Sequence, residues 1–494
     1  MWSIVITIVL IVSASYAQLL VRTHWHDVVI KSRTIPTFQI VTNPLILPSS
    51  KIGKKVYQNI KELEADWSRF AGWFPYPRMS VAELYPPNCS SVDKKTSWDF
   101  KLLDEQIVSF LEATRGHPSH FSISTQPAWM FKVDKLVDIP QDFKSPVWNY
   151  LQGTQLVDDS IQQLADYYGR VAAWYSHGGF VDECGTLQKS NHFYNVPGFE
   201  IFNEIETEHQ FKVEYYTKVY DKVVAKVKKY LPNAEFIGLS LTDPRKNFDY
   251  MSYFLNSSNH DANIPLDWIS YHFYSLPDSK STLAKQMFQQ ADDFLSYIPI
   301  FEKIRSSLSP TTKTTINELG TIFEKPEIGL SDDFWIMSGA QFAYCFAKLS
   351  AFGIEAVGMS QMVGFPGQYP SVSMVNWETG VGNSRYYVLK MIIKHVGLKM
   401  GAQDVVLVST EQPCSSVFVQ SYLVATKGGE WVKKTLFVNK GEEKQNIKVD
   451  GLGDGRFEYV DGSLGPFSDS KTVSVKDSVE VGPYCVGFLV YDVL

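Results

Sequence analysis

The chain predicts an α/β protein: a (β/α)8 barrel followed by a C-terminal antiparallel β-sandwich. Three observations carry this. Eight short apolar runs lie within residues 37–398, helical patterns separate them, and closely spaced alternating strands take over after Gly397. In order, the runs are FQIVTNPLI (38–46), RFAGWF (69–74), HFSIST (120–125), GFEIFN (198–203) and EFIGLSL (235–241). DWISYHFY (267–274), TKTTIN (312–317) and EAVGMSQMV (355–363) complete the set. Between them, VEYYTKVYDKVVAKVKKYL (213–231) repeats apolar residues at helical spacing and stops before a proline, while SGAQFAYCFAKLSAFG (338–353) ends on Gly353. Strands alternating with helices indicate a parallel sheet, and the count of eight indicates closure. A doubly wound open sheet is the structural alternative, but no Gly-rich phosphate fingerprint follows the first run.

Residues 399–494 contain DVVLVST, SSVFVQSYLVAT, KKTLFVN, KTVSV and YCVGFLVYDV, separated by turns such as KGGE and DGLGDG. Alternation at this spacing reads as a small sandwich. Residues 18–36 precede the barrel and contain the strand-like LLVRTHWHDVVIK, which is expected to join that sandwich; His24-Trp25-His26 within it has no third metal ligand nearby. Residues 1–17, MWSIVITIVLIVSASYA, read as a signal peptide with small residues before a cleavage point. The apolar run is too short for a comfortable transmembrane helix. With the sequons Asn88-Cys89-Ser90 and Asn256-Ser257-Ser258, the expectation is a secreted or lysosomal glycoprotein without stable membrane association.

At 494 residues, 45% hydrophobic and 20% charged, the chain is globular and longer than one ordinary core. A net charge of -7 argues against a nucleic-acid partner, which needs a basic stripe. The 14% aromatic content serves either a packed core or the faces of sugars. Five cysteines, Cys89, Cys184, Cys345, Cys414 and Cys485, are spaced too widely for a zinc or redox motif, so no metal or cofactor is expected. Cys414 and Cys485 share the C-terminal segment and are the expected disulfide.

The chemistry begins with FEIFNEIE at 199–206, an apolar run that ends in Asn203 and Glu204. A carboxylate there is either a solvated strand end, a loop anchor, or a group delivered into a cleft. Barrel chemistry sits at the C-terminal ends of the strands. The seventh run ends TTINELG and presents Glu318, so two carboxylates from strands four and seven can face each other over the mouth. Such a pair is the minimum equipment of glycoside hydrolysis. Phe199, Ile201 and Phe202 would help an acid keep its proton. The sixth run places His272 and Tyr274 beside the seventh, where an N–H or O–H aimed at Glu318 would keep it ionised. Arg69 on the second run and Trp129 after the third are candidate substrate contacts, with a surface cation and a core aromatic as their plainer readings. Arg69, Arg78 and Lys132 are the cations considered for an acidic sugar.

Asn203-Glu204 at the fourth strand with Glu318 at the seventh resembles the large clan of retaining (β/α)8 glycoside hydrolases. The order barrel-then-sandwich, the YHFY run and SVSMVNWETGVGNSRYYVLKMI (371–392) resemble glycoside hydrolase family 39 and relatives, which include β-xylosidases and α-L-iduronidases. The family's usual proline after Asn-Glu is replaced by Ile205. The resemblance implies Glu204 as general acid/base, Glu318 as nucleophile and Asn203 as the ligand of the sugar 2-hydroxyl. It implies a carbohydrate substrate cleaved by double displacement, exo-acting on a xyloside- or uronide-like sugar. An endo-acting polysaccharide hydrolase, or a non-catalytic carbohydrate-binding barrel, is the alternative.

Overall fold

The structure, a computed structural model, describes residues 19–491 apart from 91, 93, 151–152, 324–329, 399–403, 415 and 427. Residues 1–17, read from the sequence as a signal peptide, lie outside the described residues. Eight parallel strands form a closed barrel: Ile35–Val41, Ser68–Gly72, Ser119–Ile123, Gly198–Glu200, Glu235–Leu241, Trp268–Ser275, Lys313–Thr321 and Ala356–Met359. Each hydrogen-bonds the next in sequence, and the last closes on the first through Ala356–Ile35 to Met359–Phe38. The helices that return the chain include Val213–Val227 and Asp332–Phe352. The latter ends where Gly353 turns left-handed at φ 79°, a conformation that costs glycine least.

Two strands differ from the sequence reading in ways that shape the site. The fourth stops at Glu200, three residues before the end of its apolar run. Phe202 and Glu204 have φ of 69° and 43°, so the chain leaves the sheet, and Glu204 is tied back by its N–H to the Ser240 carbonyl at 2.8 Å. The seventh runs on to Thr321, which puts Glu318 inside the strand, paired in register with His272.

The C-terminal segment forms two sheets. The larger has the order Lys471–Lys476, Asp454–Val460, Val486–Tyr491, Trp431–Asn439, Val417–Ala425, Val405–Thr410 and Thr23–Lys31. The smaller joins Leu19–Val21, Gln445–Val449 and Ser478–Val481, and its Leu19–Val21 pairing is parallel, the one departure from an antiparallel sandwich among the described residues. Val21, Val419, Phe437, Ile447, Phe457 and Val479 fill the space between the sheets. The other face of the larger sheet packs on the barrel: Tyr422, Leu436 and Phe488 share the main core with the barrel helices, and Phe488 stacks on His395 of helix Ser384–Val396.

The disulfide expectation is corrected. Cys89 is bonded to Cys184, while Cys414 and Cys485 are free. Cys414 and Cys485 precede strands Val417–Ala425 and Val486–Tyr491, and Trp431–Asn439 lies between those strands. Two inter-strand spacings of about 4.8 Å exceed the reach of a disulfide.

Candidate active site

At the C-terminal mouth of the barrel lies a cleft of about 330 Å³ lined by Asn203, Glu204, His272, Tyr274, Glu318 and Trp73, among others. Its floor is an ion-pair network built on Arg69. That guanidinium is 1% exposed. It donates from Nε to Glu200 at 2.6 Å, from Nη1 to Glu318 at 2.5 Å and Gln39 at 2.7 Å, and from Nη2 to Asn203 Oδ1 at 2.7 Å. Glu200, fully buried, also accepts from Ser270 and Asn317, each at 2.7 Å. Burial would raise its carboxyl, but the charge of Arg69 and the hydrogen bonds hold it down at about 2. The buried His120 imidazole, itself pushed down to about 3, adds charge only in strong acid.

Glu318 is held on both oxygens, by Arg69 on Oε1 and by the Tyr274 hydroxyl on Oε2 at 2.6 Å. Burial again pushes upward, yet the positive charges of His272 and Arg69 and the Tyr274 bond leave the carboxyl below its usual range, ionised at neutral pH. Gly320 leaves room beside this contact: a Cβ there would stand 3.3 Å from the Tyr274 ring and 3.4 Å from Arg385, tight enough that they would have to shift by a few tenths of an ångström.

Glu204 sits higher in the cleft, about one-fifth exposed, with Oε1 2.9 Å from His272 Nδ1. The imidazole is buried, and its Nε2 is 3.1 Å from Ser240 Oγ, which donates its own hydrogen to Asn203 Oδ1. Ser240 therefore accepts from Nε2, and Nδ1 faces Glu204 and, at 3.7 Å, Glu318. Burial lowers the imidazole's pKa, but the two carboxylates outweigh it and the net shift is upward. Ligand atoms of Glu204, His272 and Glu318 lie within 4.8 Å of one another, and this is the group of metal-ligating residue types with such spacing among the described residues. Both Glu318 oxygens already accept from cationic or hydroxyl donors, and His272 presents N–H to Glu204. The set is satisfied by donors and fits a cation poorly.

Six sequence-predicted residues, Glu204, Glu318, Asn203, His272, Tyr274 and Arg69, thus converge, with one reassignment and one loss. Arg69 is buried beneath the cleft and meets Glu318 and Asn203 rather than the open space. Trp129 lies outside the cleft lining: the turn Ala128–Met130 points its indole N–H at the Glu83 carbonyl, 3.0 Å away. Trp73 lines the cleft instead and meets Trp148 and Tyr369 at ring distances of 5.5 and 5.8 Å, forming an aromatic rim. Arg78 is spent on the Pro140 carbonyl and Lys132 on Asp159, so the cations of the cleft are Arg245 and Lys246, both beside Asp243. Glu200 and Glu208 were missed; a Glu facing an Arg within otherwise apolar barrel runs was the available signal for the first.

No family model matches the chain, and no curated protein matches it. Among solved structures, it is similar to a GH51 α-L-arabinofuranosidase from Thermotoga petrophila, with 13% identity over 96% of this chain and 100% of that one and a TM-score of 0.61. A GH30 endoxylanase from Clostridium papyrosolvens matches at 12% identity, 96% and 100% coverage and a TM-score of 0.57. A glucosidase from Croceicoccus marinus matches at 10%, with 97% and 100% coverage and a TM-score of 0.59. At these identities the likeness is one of fold: the barrel with its appended sandwich.

Proposed function

We propose that the protein is an O-glycosyl hydrolase working by double displacement. The observation that carries this is the pair Glu204, in the loop just after strand four, and Glu318, within strand seven, with oxygens within 4.8 Å. Retaining glycosidases hold their carboxyls about 5–5.5 Å apart, whereas inverting ones leave about 6.5–9.5 Å for a water. The environments of the two divide the labour. Glu318, kept ionised by Arg69 and Tyr274, attacks the anomeric carbon. Glu204, at the solvent side, gives its proton to the departing oxygen and then takes one from the water that releases the sugar. Asn203 offers the Nδ2 hydrogen not used on Glu208 to the 2-hydroxyl, where a bond strengthens in the transition state. The fold shared with GH51 and GH30 glycosidases supports the reaction class.

The substrate is a carbohydrate, an exo-cleaved xyloside- or uronide-like sugar in this reading, and the sequence motifs resemble those of family 39 and its relatives. The rim of Trp73, Trp148 and Tyr369, with Trp148 43% exposed, favours endo action as the second reading, because it offers sugar faces a platform beyond the reacting ring. Entry into the secretory pathway is supported by the Cys89–Cys184 disulfide, a bond of oxidising compartments. The test is mass spectrometry after incubation with 2-fluoro glycosides of several sugars. A glycosyl adduct on Glu318 is expected, and the sugar that labels fastest identifies the glycone. An adduct on another residue overturns the assignment, and slow substrates that turn over with inversion overturn double displacement.

A further inference from the structure

The loop that carries the acid holds a third carboxyl, Glu208, that the reaction does not consume. Its Oε1 accepts two N–H bonds, from Asn203 Nδ2 and from Trp73 Nε1, each at 3.0 Å. Its Oε2 is buried with no hydrogen-bond partner. None of these contacts is cationic, and the guanidinium nearest in the network, Arg69, is spent on Glu200 and Glu318. A buried carboxylate without a cation is costly, whereas the neutral acid has its carbonyl oxygen filled by two N–H groups and leaves one O–H on Oε2 unpaired, which is the smaller cost. The carboxylates acting on Glu208 from the packed elements oppose its ionisation: Glu318 on strand Lys313–Thr321, and Glu204 on its own loop whenever that group has given up its proton. The Tyr369 phenol after the eighth strand, its own pKa raised, stays uncharged.

We propose that Glu208 is a positioning residue that works as an uncharged carboxylic acid, using one carbonyl oxygen to fix the Asn203 amide and the Trp73 indole at once. The consequence for Asn203 follows from counting its bonds. Oδ1 is occupied by Arg69 and Ser240, and one Nδ2 hydrogen by Glu208, so the amide cannot flip and a single N–H is left for a ligand. Trp73 is anchored by the same oxygen, which couples the glycone contact to the aromatic rim. The direction of the shift agrees: burial first raises this carboxyl well above its ordinary value, and Glu204 adds to that whenever it is ionised, against the smaller pull of the Asn203 and Trp73 bonds.

The role of Asn203 rests on the glycosidase reading; the protonation state does not. Isotope-edited infrared spectroscopy of the parent and Glu208→Gln at neutral pH is the first test, and a protonated-carboxyl stretch present in the parent and absent from the variant is expected. No such band overturns the proposal whether or not the protein cleaves glycosides. The second test is kinetic. Glu208→Ala should lower kcat/KM on the preferred glycoside by about 10²-fold, the scale of a misplacement of about 1 Å. Glu208→Gln, which keeps the carbonyl acceptor, should recover most of that loss. In an Asn203→Ala background the Glu208→Ala loss should shrink, because the two act on one contact. Equal losses in both backgrounds, or a Gln variant as impaired as Ala, would overturn positioning, whereas a parent inactive on all glycosides would sink the reaction and leave the infrared result standing.

Discussion

Replacing Arg69 by Met isolates the energetic centre of the barrel. The change keeps most of the apolar volume and deletes the charge that Glu200 and Glu318 share. Removing one member of a buried ion pair costs about 3–5 kcal/mol, because the partner is left charged and unpaired. The Glu200 carboxyl gives an independent figure of the same size. Its fall from 4.5 to about 2 corresponds to about 3 kcal/mol of stabilisation. The sign follows from the direction. A carboxyl held low in the fold contributes fully above about pH 4.5 and loses that contribution as pH falls towards 2. In Arg69→Met the burial that raises Glu200 is no longer opposed by the guanidinium, so the carboxyl rises above 4.5 and ionisation opposes folding. The variant should therefore be destabilised most near pH 7, and its deficit against the parent should narrow on acidification to pH 4–5. Adding Glu200→Gln should recover stability but not activity, since Glu318 still lacks its cation. The assay is denaturant and thermal unfolding of parent, single and double variants across that pH range, with kcat/KM in parallel. A deficit that does not change with pH, or a double variant no more stable than Arg69→Met, refutes the reasoning.

The two glutamates should separate by leaving group. Glu204→Gln spares the first step with a dinitrophenyl glycoside, showing a burst, while an alkyl glycoside loses about 10²–10⁴-fold; Glu318→Gln loses both alike, and swapped phenotypes would reverse the roles. Tyr274→Phe removes a hydrogen bond to a charged group, worth about 1.5–3 kcal/mol. It should lower kcat and move the acid limb of the pH–kcat profile to higher pH, as Glu318 loses one of the contacts that hold its carboxyl down; an unmoved limb counts against the assignment. Cys89→Ser with Cys184→Ser opens a crosslink across a separation of 95 residues, for which chain entropy predicts a loss of about 4–5 kcal/mol. Cys414→Ser should leave the melting temperature alone, and the reverse pattern would restore the C-terminal disulfide.

Much of this molecule is legible without coordinates. The eight barrel strands coincide in order with the eight apolar runs, because a strand buried on both faces must be apolar along its length and turn residues must separate it from its helix. The same logic flags Asn203, Glu204 and Glu318, polar groups that interrupt such runs at the end where a barrel opens. His272 and Tyr274 follow from adjacency, since strands six and seven pair residue by residue. The tertiary structure decided what depends on distances between residues far apart in the chain. Cys89 meets Cys184 across 95 positions, while a strand intervenes between the two C-terminal cysteines. Arg69 turns from a candidate ligand contact into a buried hub only when Glu200, Glu318 and Asn203 close around it. Trp129 is drawn out of the cleft by a single 3-10 turn. Glu208 reads in sequence as one more acid in a polar loop, and it becomes a neutral strut only because folding buries it beside two N–H groups and leaves no cation to pair with it. Periodicity reports which face of an element is apolar; a hydrogen bond or an ionisation state is a property of what stands opposite, and only the folded chain supplies that partner.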